Sequence, residues 1–160
     1  MKRTHIAYLS AAIAAFIVAG SAIAKDAEMT AAAASPNVSL PVTELKWIST
    51  GIIAPNGVGP LQAAPALGDL SKGAHATFIK MPAGFVSAVH THTHDFWVAV
   101  ISGVAVNTAV GDKDISLPPG SYWFQPGGKP HVTKCISTTE CIFFVSQKEK
   151  FDYLPMTHAH

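Results

Sequence analysis

The sequence predicts an all-β domain, either a two-sheet sandwich or a small barrel. From Leu40 onward the chain runs in short stretches of β-branched and aromatic residues, the composition that fits a pleated, half-buried surface. Gly and Pro turn signals separate these stretches at close spacing, and no amphipathic helical pattern of ten or more residues follows Leu40. Many short strands at such spacing pack as two sheets or close into a barrel.

The chain opens outside that domain. Lys2 and Arg3 precede an apolar run from Ile6 to Ala19, and Gly20, Ser21, Ala22 and Ala24 supply a small-residue cleavage site, so residues 1–24 read as an export signal. A membrane anchor is the competing reading, since Ile6 to Ala24 is nearly long enough to span. Gly20 and Ser21 interrupt the run and no basic stop-transfer cluster follows, so no stable anchor is expected once the signal is cleaved. Residues 25–39 are Ala-rich without apolar patterning and read as a flexible lead-in.

Strands are expected over residues 42–53, 74–81, 86–101, 104–110, 115–117, 122–125, 132–137 and 141–147. Turns are expected at Gly68-Asp69, Pro82-Ala83-Gly84, Gly111-Asp112, Pro118-Pro119-Gly120 and Gly127-Gly128. Residues 54–70, rich in Gly, Pro and Ala, read equally as a loop over a barrel mouth, an extended edge segment or an ordinary surface connection. The domain is placed at residues 40–155. Residues 156–160, with His158 and His160, form a frayed tail.

A chain of 160 residues is enough for one domain with a core and too short for two ordinary ones. Cleavage after Ala24 removes Lys2 and Arg3, leaving 9 Lys and Arg against 10 Asp and Glu. A near-neutral chain without a basic stripe offers nothing to nucleic acid. Export implies a periplasmic or secreted protein in an oxidising compartment. Cys135 and Cys141, the two cysteines, flank residues 136–140, and a hairpin turning at Thr138 would set them opposite each other within reach of a disulfide. The competing reading is a thiolate near a metal, because His131, Thr133 and Cys135 share one strand face.

Two stretches carry the chemistry. In the first, from Gly84 to Gly103, His90, His92 and His94 alternate with Thr91 and Thr93, and a strand's period of two points all three imidazoles to one face. In the second, from Gly120 to Cys135, His131 follows a Pro and Gly turn. One metal ion held from two strands is the simplest reason for both. Without His131, two polar residues on an exposed strand face would suffice to explain His90 and His92.

These stretches resemble the two motifs of the cupin superfamily. The first motif runs Gly, five residues, His-x-His, three or four residues, Glu, six residues, Gly, and Gly84, His90, His92 and Gly103 fall on it. The second runs Gly, five residues, Pro-x-Gly, two residues, His, three residues, Asn, and Gly120, Pro126, Gly128 and His131 fall on it. The resemblance spans roughly residues 81–145 and implies a single-domain jelly-roll β-barrel with His90, His92 and His131 as ligands of a divalent metal ion such as Fe, Mn, Zn or Ni. Two positions depart from the family. Its Glu falls at Phe96, or at Trp97 with the longer spacing, and its Asn falls at Cys135.

Three neutral imidazoles suit such metals and leave coordination positions open. With no carboxylate ligand the ion keeps its full charge, which favours a small anionic, chelating substrate. His94 is the candidate catalytic residue: parity makes it a fourth ligand, a partner behind the ligands, or a general base near the metal, the alternative being a rim residue that reaches solvent. Asp95 falls on the opposite face. Phe78, Phe85, Phe96, Trp123, Phe124 and Phe143 are most simply core, and any of them could line a pocket above the metal. The leading functional expectation is a small metal-dependent enzyme, with dioxygenase-type chemistry among its options. A non-catalytic cupin that captures a small ligand or a metal is the alternative, and a structural barrel with idle histidines the third reading. Cupins often pair through edge strands, so a homodimer fits the resemblance.

Overall fold

Side chains alternate between core and surface along residues 96–102, 131–135 and 141–147, and that alternation builds the centre of the molecule. The computed structural model describes residues 37–156; the expected export signal, most of the lead-in and most of the tail lie outside the described residues. After a single 3-10 turn at Val42–Glu44 come β1 (Ile48–Ser49), β2 (Gln62–Gly68), β3 (His75–Met81), β4 (His90–Thr91), β5 (Phe96–Ser102), β6 (Ala105–Ala109), β7 (Tyr122–Gln125), β8 (His131–Cys135), β9 (Cys141–Gln147) and β10 (Leu154–Pro155). In β5, Phe96, Val98 and Val100 are buried while Trp97 and Ile101 face out. In β9, Cys141, Phe143, Val145 and Gln147 are buried.

The strands form two antiparallel sheets, one of six in the order β1-β2-β3-β9-β5-β7 and one of four in the order β10-β4-β8-β6. From β4 onward successive strands alternate between the sheets, which is the wrapping of a jelly roll. The expected all-β jelly roll is therefore the observed fold. Phe85, Phe96, Val98, Val100, Phe143 and Val145 pack between the sheets. Each such side chain, fully buried, contributes roughly 1.5–3 kcal/mol.

Several elements differ from their expected form. Residues 54–70 divide: 54–61 form a turn-rich connection, and Gln62–Gly68 form β2, paired along its length with β3 and at Gln62 and Ala63 with β1. Residues 115–117 contribute only a bridge between Ala105 and Leu117. The expected strand over 86–101 is divided, because β4 lies in the four-stranded sheet and β5 in the six-stranded one. Carboxylates take up backbone donors at the corner between them: Asp152 accepts the Thr93 N–H at 2.8 Å and Asp95 accepts the Gly127 N–H at 2.7 Å. Those amides no longer need a strand partner. Phe124 is 43% exposed on the outer face beside Trp97, so it is not core. Phe78 is half-buried and packs edge-on against Phe144.

Cys135 and Cys141 form a disulfide, but not across a hairpin. β8 pairs with β4 and β6 whereas β9 pairs with β3 and β5, so the bond ties one sheet to the other. Residues 136–140 cross between the sheets. The thiolate reading of Cys135 falls with that bond.

Candidate metal centre

The register of β4 and β8 places His90 directly opposite His131. Both point inward and are buried, 3% and 1% exposed. His92 lies one residue beyond the end of β4 yet is equally buried, because the Gly128 N–H donates to its carbonyl at 2.7 Å and its ring is anchored on the Asp152 carbonyl. Ring centroids are 4.1 Å apart for His90 and His131, 4.9 Å for His90 and His92, and 5.2 Å for His92 and His131. One ligand nitrogen from each lies within 4.8 Å of the others.

The turn that carries His131 reaches the corner that carries His92 through Gly127. A Cβ there would stand 2.5 Å from the Thr93 carbonyl oxygen and 3.2 Å from the His94 Cα, both backbone atoms that cannot yield. Gly127→Ala is expected to cost about 2 kcal/mol or more by forcing the two motifs apart, read as a fall in melting temperature on the order of 10 °C. An unchanged melting curve would refute that close approach. The glycines on the motif positions, Gly84, Gly103, Gly120 and Gly128, all take positive φ between 69° and 87°.

Hydrogen bonding fixes the state of each ring. Nδ1 of His90 faces the Ala88 carbonyl at 2.9 Å, Nδ1 of His92 faces the Asp152 carbonyl, and Nδ1 of His131 faces the Lys129 carbonyl at 3.0 Å. A carbonyl oxygen only accepts, so each Nδ1 carries the proton and each neutral ring presents the Nε2 lone pair. Burial pushes His90 down to about 3, and the neighbouring His131 charge adds to the shift. Burial likewise lowers His92 to about 4, and lowers His131 below the usual imidazole range. All three rings are thus neutral near pH 7. Nε2 of His131 is buried with no hydrogen-bond partner among the described residues, a cost that burial normally forbids. The donor set fits a divalent transition metal: neutral nitrogens, tautomers locked from behind, and lone pairs left for a cation.

His90 and His92 open on a cavity of about 80 Å³. Its walls include Ile52, Leu61, Ile79, Met81, Phe85 and Val98, with Thr50, Ser87, Thr133 and Tyr153 as polar points. No Lys, Arg, Asp or Glu lines it among the described residues. Phe96 is buried and stands edge-on to His92, 4.7 Å between centroids, so a phenyl ring occupies the position of the motif carboxylate. Trp97, the alternative position, is 43% exposed on the outer face.

His94 is not brought to the other three. Parity fails because the chain bends at Thr93 and His94. His94 instead lines a shallow outer groove with Asp95, Trp97, Lys148 and Glu149, which is where the rim reading would put it. Asp95 is exposed and serves the Gly127 amide.

Other residues that hold the site lie outside the motif pattern. The Thr133 hydroxyl donates to Asn107 Oδ1 at 2.8 Å, Asn107 Nδ2 donates to Gln125 Oε1 at 3.0 Å, and Gln125 Nε2 donates to the Lys129 carbonyl at 3.2 Å. That same carbonyl receives His131 Nδ1–H, so one buried network runs from the cavity wall to a ligand. Ser87 accepts the Thr133 N–H at 2.9 Å and lies 3.3 Å from His90 Nδ1. One signal was available in the sequence for Gln125: it is the inward polar residue of an otherwise aromatic strand. None marked Asp152, which lies sixty residues from His92.

Residues 56–160 match the model of a domain of unknown function, DUF4437. No curated protein matches the chain. Among solved structures, the polyketide cyclase RemF from Streptomyces resistomycificus is similar at 15% identity and a TM-score of 0.63, covering 78% of this chain and 89% of that one. An RmlC-like cupin protein from Ralstonia eutropha JMP134 is similar at 19% identity and a TM-score of 0.56, covering 74% and 73%. The DMSP lyase DddQ from Ruegeria pomeroyi DSS-3 is similar at 19% identity and a TM-score of 0.53, covering 71% and 67%. At these identities the likeness is one of fold, and the fold is that of the cupins. With that architecture and a family model spanning most of its length, the chain belongs to the cupin-like DUF4437 family.

Proposed function

We propose that this protein is an exported metal-dependent cupin enzyme whose ion is held by His90, His92 and His131 and whose substrate is a small molecule with an apolar body. The observation that carries the reading is the set of three buried, neutral imidazoles whose free lone pairs converge beside a narrow apolar cavity, one of them with no partner among the described residues. A divalent ion bound there, with no carboxylate among its ligands, supplies Lewis-acid polarisation of a substrate oxygen, or redox chemistry if the ion is iron or manganese. The cavity adds shape. Its apolar walls hold the body of the substrate and exclude water, while Thr50, Ser87, Thr133 and Tyr153 offer hydrogen bonds at set points. Tyr153 is the one ionisable lining residue besides the histidines among the described residues, and burial raises its phenol above the usual range. It is therefore the available proton donor. The charge class expected from the motifs narrows: with no Lys or Arg on the walls among the described residues, the ion is the only full positive charge offered to an anionic oxygen of the substrate, and the hydroxyls add hydrogen bonds alone.

The neighbours in fold include a polyketide cyclase and a DMSP lyase, both acting on small molecules, which supports a small substrate and assigns no reaction. Export is supported by the disulfide, which fits an oxidising compartment. Among the described residues no helix is long and apolar enough to cross a membrane. The rival reading, a non-catalytic binder, is favoured by one observation: among the described residues no carboxylate lines the cavity to act as a general base.

Elemental analysis of the untagged protein is expected to find about one equivalent of a first-row divalent metal per chain. Absence of metal after reconstitution with iron, manganese, nickel, copper and zinc in turn would overturn the proposal. Loaded protein is then assayed for oxygen uptake and for turnover of small apolar acids and diketones. Tight binding without turnover would move the protein to the binder class.

A further inference from the structure

Residues 151–156 bring Phe151 and Tyr153 to the wall of the cavity, and neither motif accounts for them. The Phe151 N–H donates to the Leu70 carbonyl at 2.7 Å and the Met156 N–H to the Val89 carbonyl at 2.9 Å. Between them β10 pairs with β4, Leu154 opposite Thr91 and Pro155 opposite His90. The inner side of the segment carries two rings: Phe151 lies 5.0 Å from His92 and Tyr153 4.4 Å from His90, centroid to centroid. Beyond the segment is an outer groove of about 660 Å³. Thr50, Ile52, Leu70, Phe151 and Tyr153 line both the groove and the cavity. These five residues form the partition between solvent and site, and two of them belong to this segment.

Asp152 does two things at once. Its carboxylate accepts the backbone N–H and the hydroxyl of Thr93, while its own carbonyl accepts the Nδ1–H of His92. The segment is otherwise lightly held, with Leu154, Pro155 and Met156 exposed and β10 only two residues long at a sheet edge, the character of elements that open before the rest of a fold.

We propose that residues 151–156 are a gating strap, latched by Asp152 on Thr93, and that closing the latch and aiming His92 are a single event. The inference rests on the metal-centre reading. With the latch open, Phe151 and Tyr153 leave the partition, the outer groove joins the cavity, and His92 loses the carbonyl that holds its tautomer. When it closes, Nε2 of His92 is turned to the centre and the substrate is sealed behind two aromatic rings. Asp152 is thus a positioning residue, acting through His92, and Phe151 sets the size of what enters.

The test uses the full chain with Thr93→Val and, separately, Asp152→Asn, with Asp112→Asn, on an exposed turn that lines neither the cavity nor the outer groove, as control. Hydrogen exchange of the metal-free protein is expected to be at least about tenfold faster at the Phe151 and Met156 amides in both latch variants. Release of zinc from the loaded protein to a chelator is expected to be about 10- to 100-fold faster, the usual penalty for losing a partner behind a metal ligand. The control should change neither. Unchanged exchange in both latch variants would overturn the strap, and faster exchange with unchanged zinc release would overturn its coupling to His92. If the wild type takes up no metal, the metal-centre reading fails on its own, while exchange in the metal-free chain still decides whether the strap is latched. Thr93→Val removes only the hydroxyl arm and keeps the test open if Asp152→Asn fails to fold.

Discussion

His131→Ala is expected to reduce bound metal from about one equivalent per chain to none detectable, because it removes the ligand that completes the set. Of the three imidazoles, His131 has the least alternative use. It is 1% exposed and its Nε2 has no protein partner among the described residues, so without an ion the atom is buried for nothing. His90→Ala should behave alike, since His90 faces His131 directly across the strand pair. Metal content by elemental analysis, with near-ultraviolet circular dichroism to show that the aromatic core is intact, measures both. Full retention of metal by a folded variant would remove that residue from the site.

Acid should destabilise the metal-free protein steeply. The folded-state values of His90 and His92, about 3 and about 4, lie below the ordinary imidazole value of 6.5. Below pH 6.5 the unfolded chain therefore binds protons that the folded chain refuses, and stability falls as pH falls. The stabilisation is fully present above about pH 6.5 and is lost progressively down to the folded-state values. Each group contributes a slope of about 1.4 kcal/mol per pH unit, so two lose on the order of 5 kcal/mol between pH 6.5 and 4.5. His131 is shifted in the same direction by burial and adds to the loss. That sum rivals the whole stability of a domain this size. Urea unfolding in the presence of a chelator from pH 7.5 to 4.5 would show it. A midpoint that stays level across that range would mean that the imidazoles are not buried neutral, and the argument for free lone pairs would go with it.

How much of the site could be read from the chain follows the range of the interactions involved. His90 and His131 are legible because strand parity and the turn at Gly127 and Gly128 are local patterns, whereas His92 matches that parity in the sequence but is held inward by Gly128 and Asp152. His94 obeys the same parity on paper and fails it in space. The bend that turns it outward comes from contacts with Asp152, fifty-nine residues beyond Thr93, and from the approach of Gly127. The disulfide was foreseen by its bond and not by its setting, since close spacing brings two cysteines together whether the chain between them makes a hairpin or a crossing from sheet to sheet.

The sequence by itself determined the all-β class, the turn glycines, the inward imidazoles of His90 and His131 and the loss of the motif carboxylate at Phe96, because each depends on residue type at short spacing. Which sheet each strand joins, where His94 points, which carbonyls lock the ring tautomers, and that Phe151 and Tyr153 line the cavity were settled by contacts in three dimensions alone. Strand partners and the bend at His94 come from hydrogen bonds between residues far apart in the chain, and even where the carbonyl lies two residues away, as for His90 and His131, a backbone carbonyl that selects a tautomer carries no side-chain signature to be read in advance.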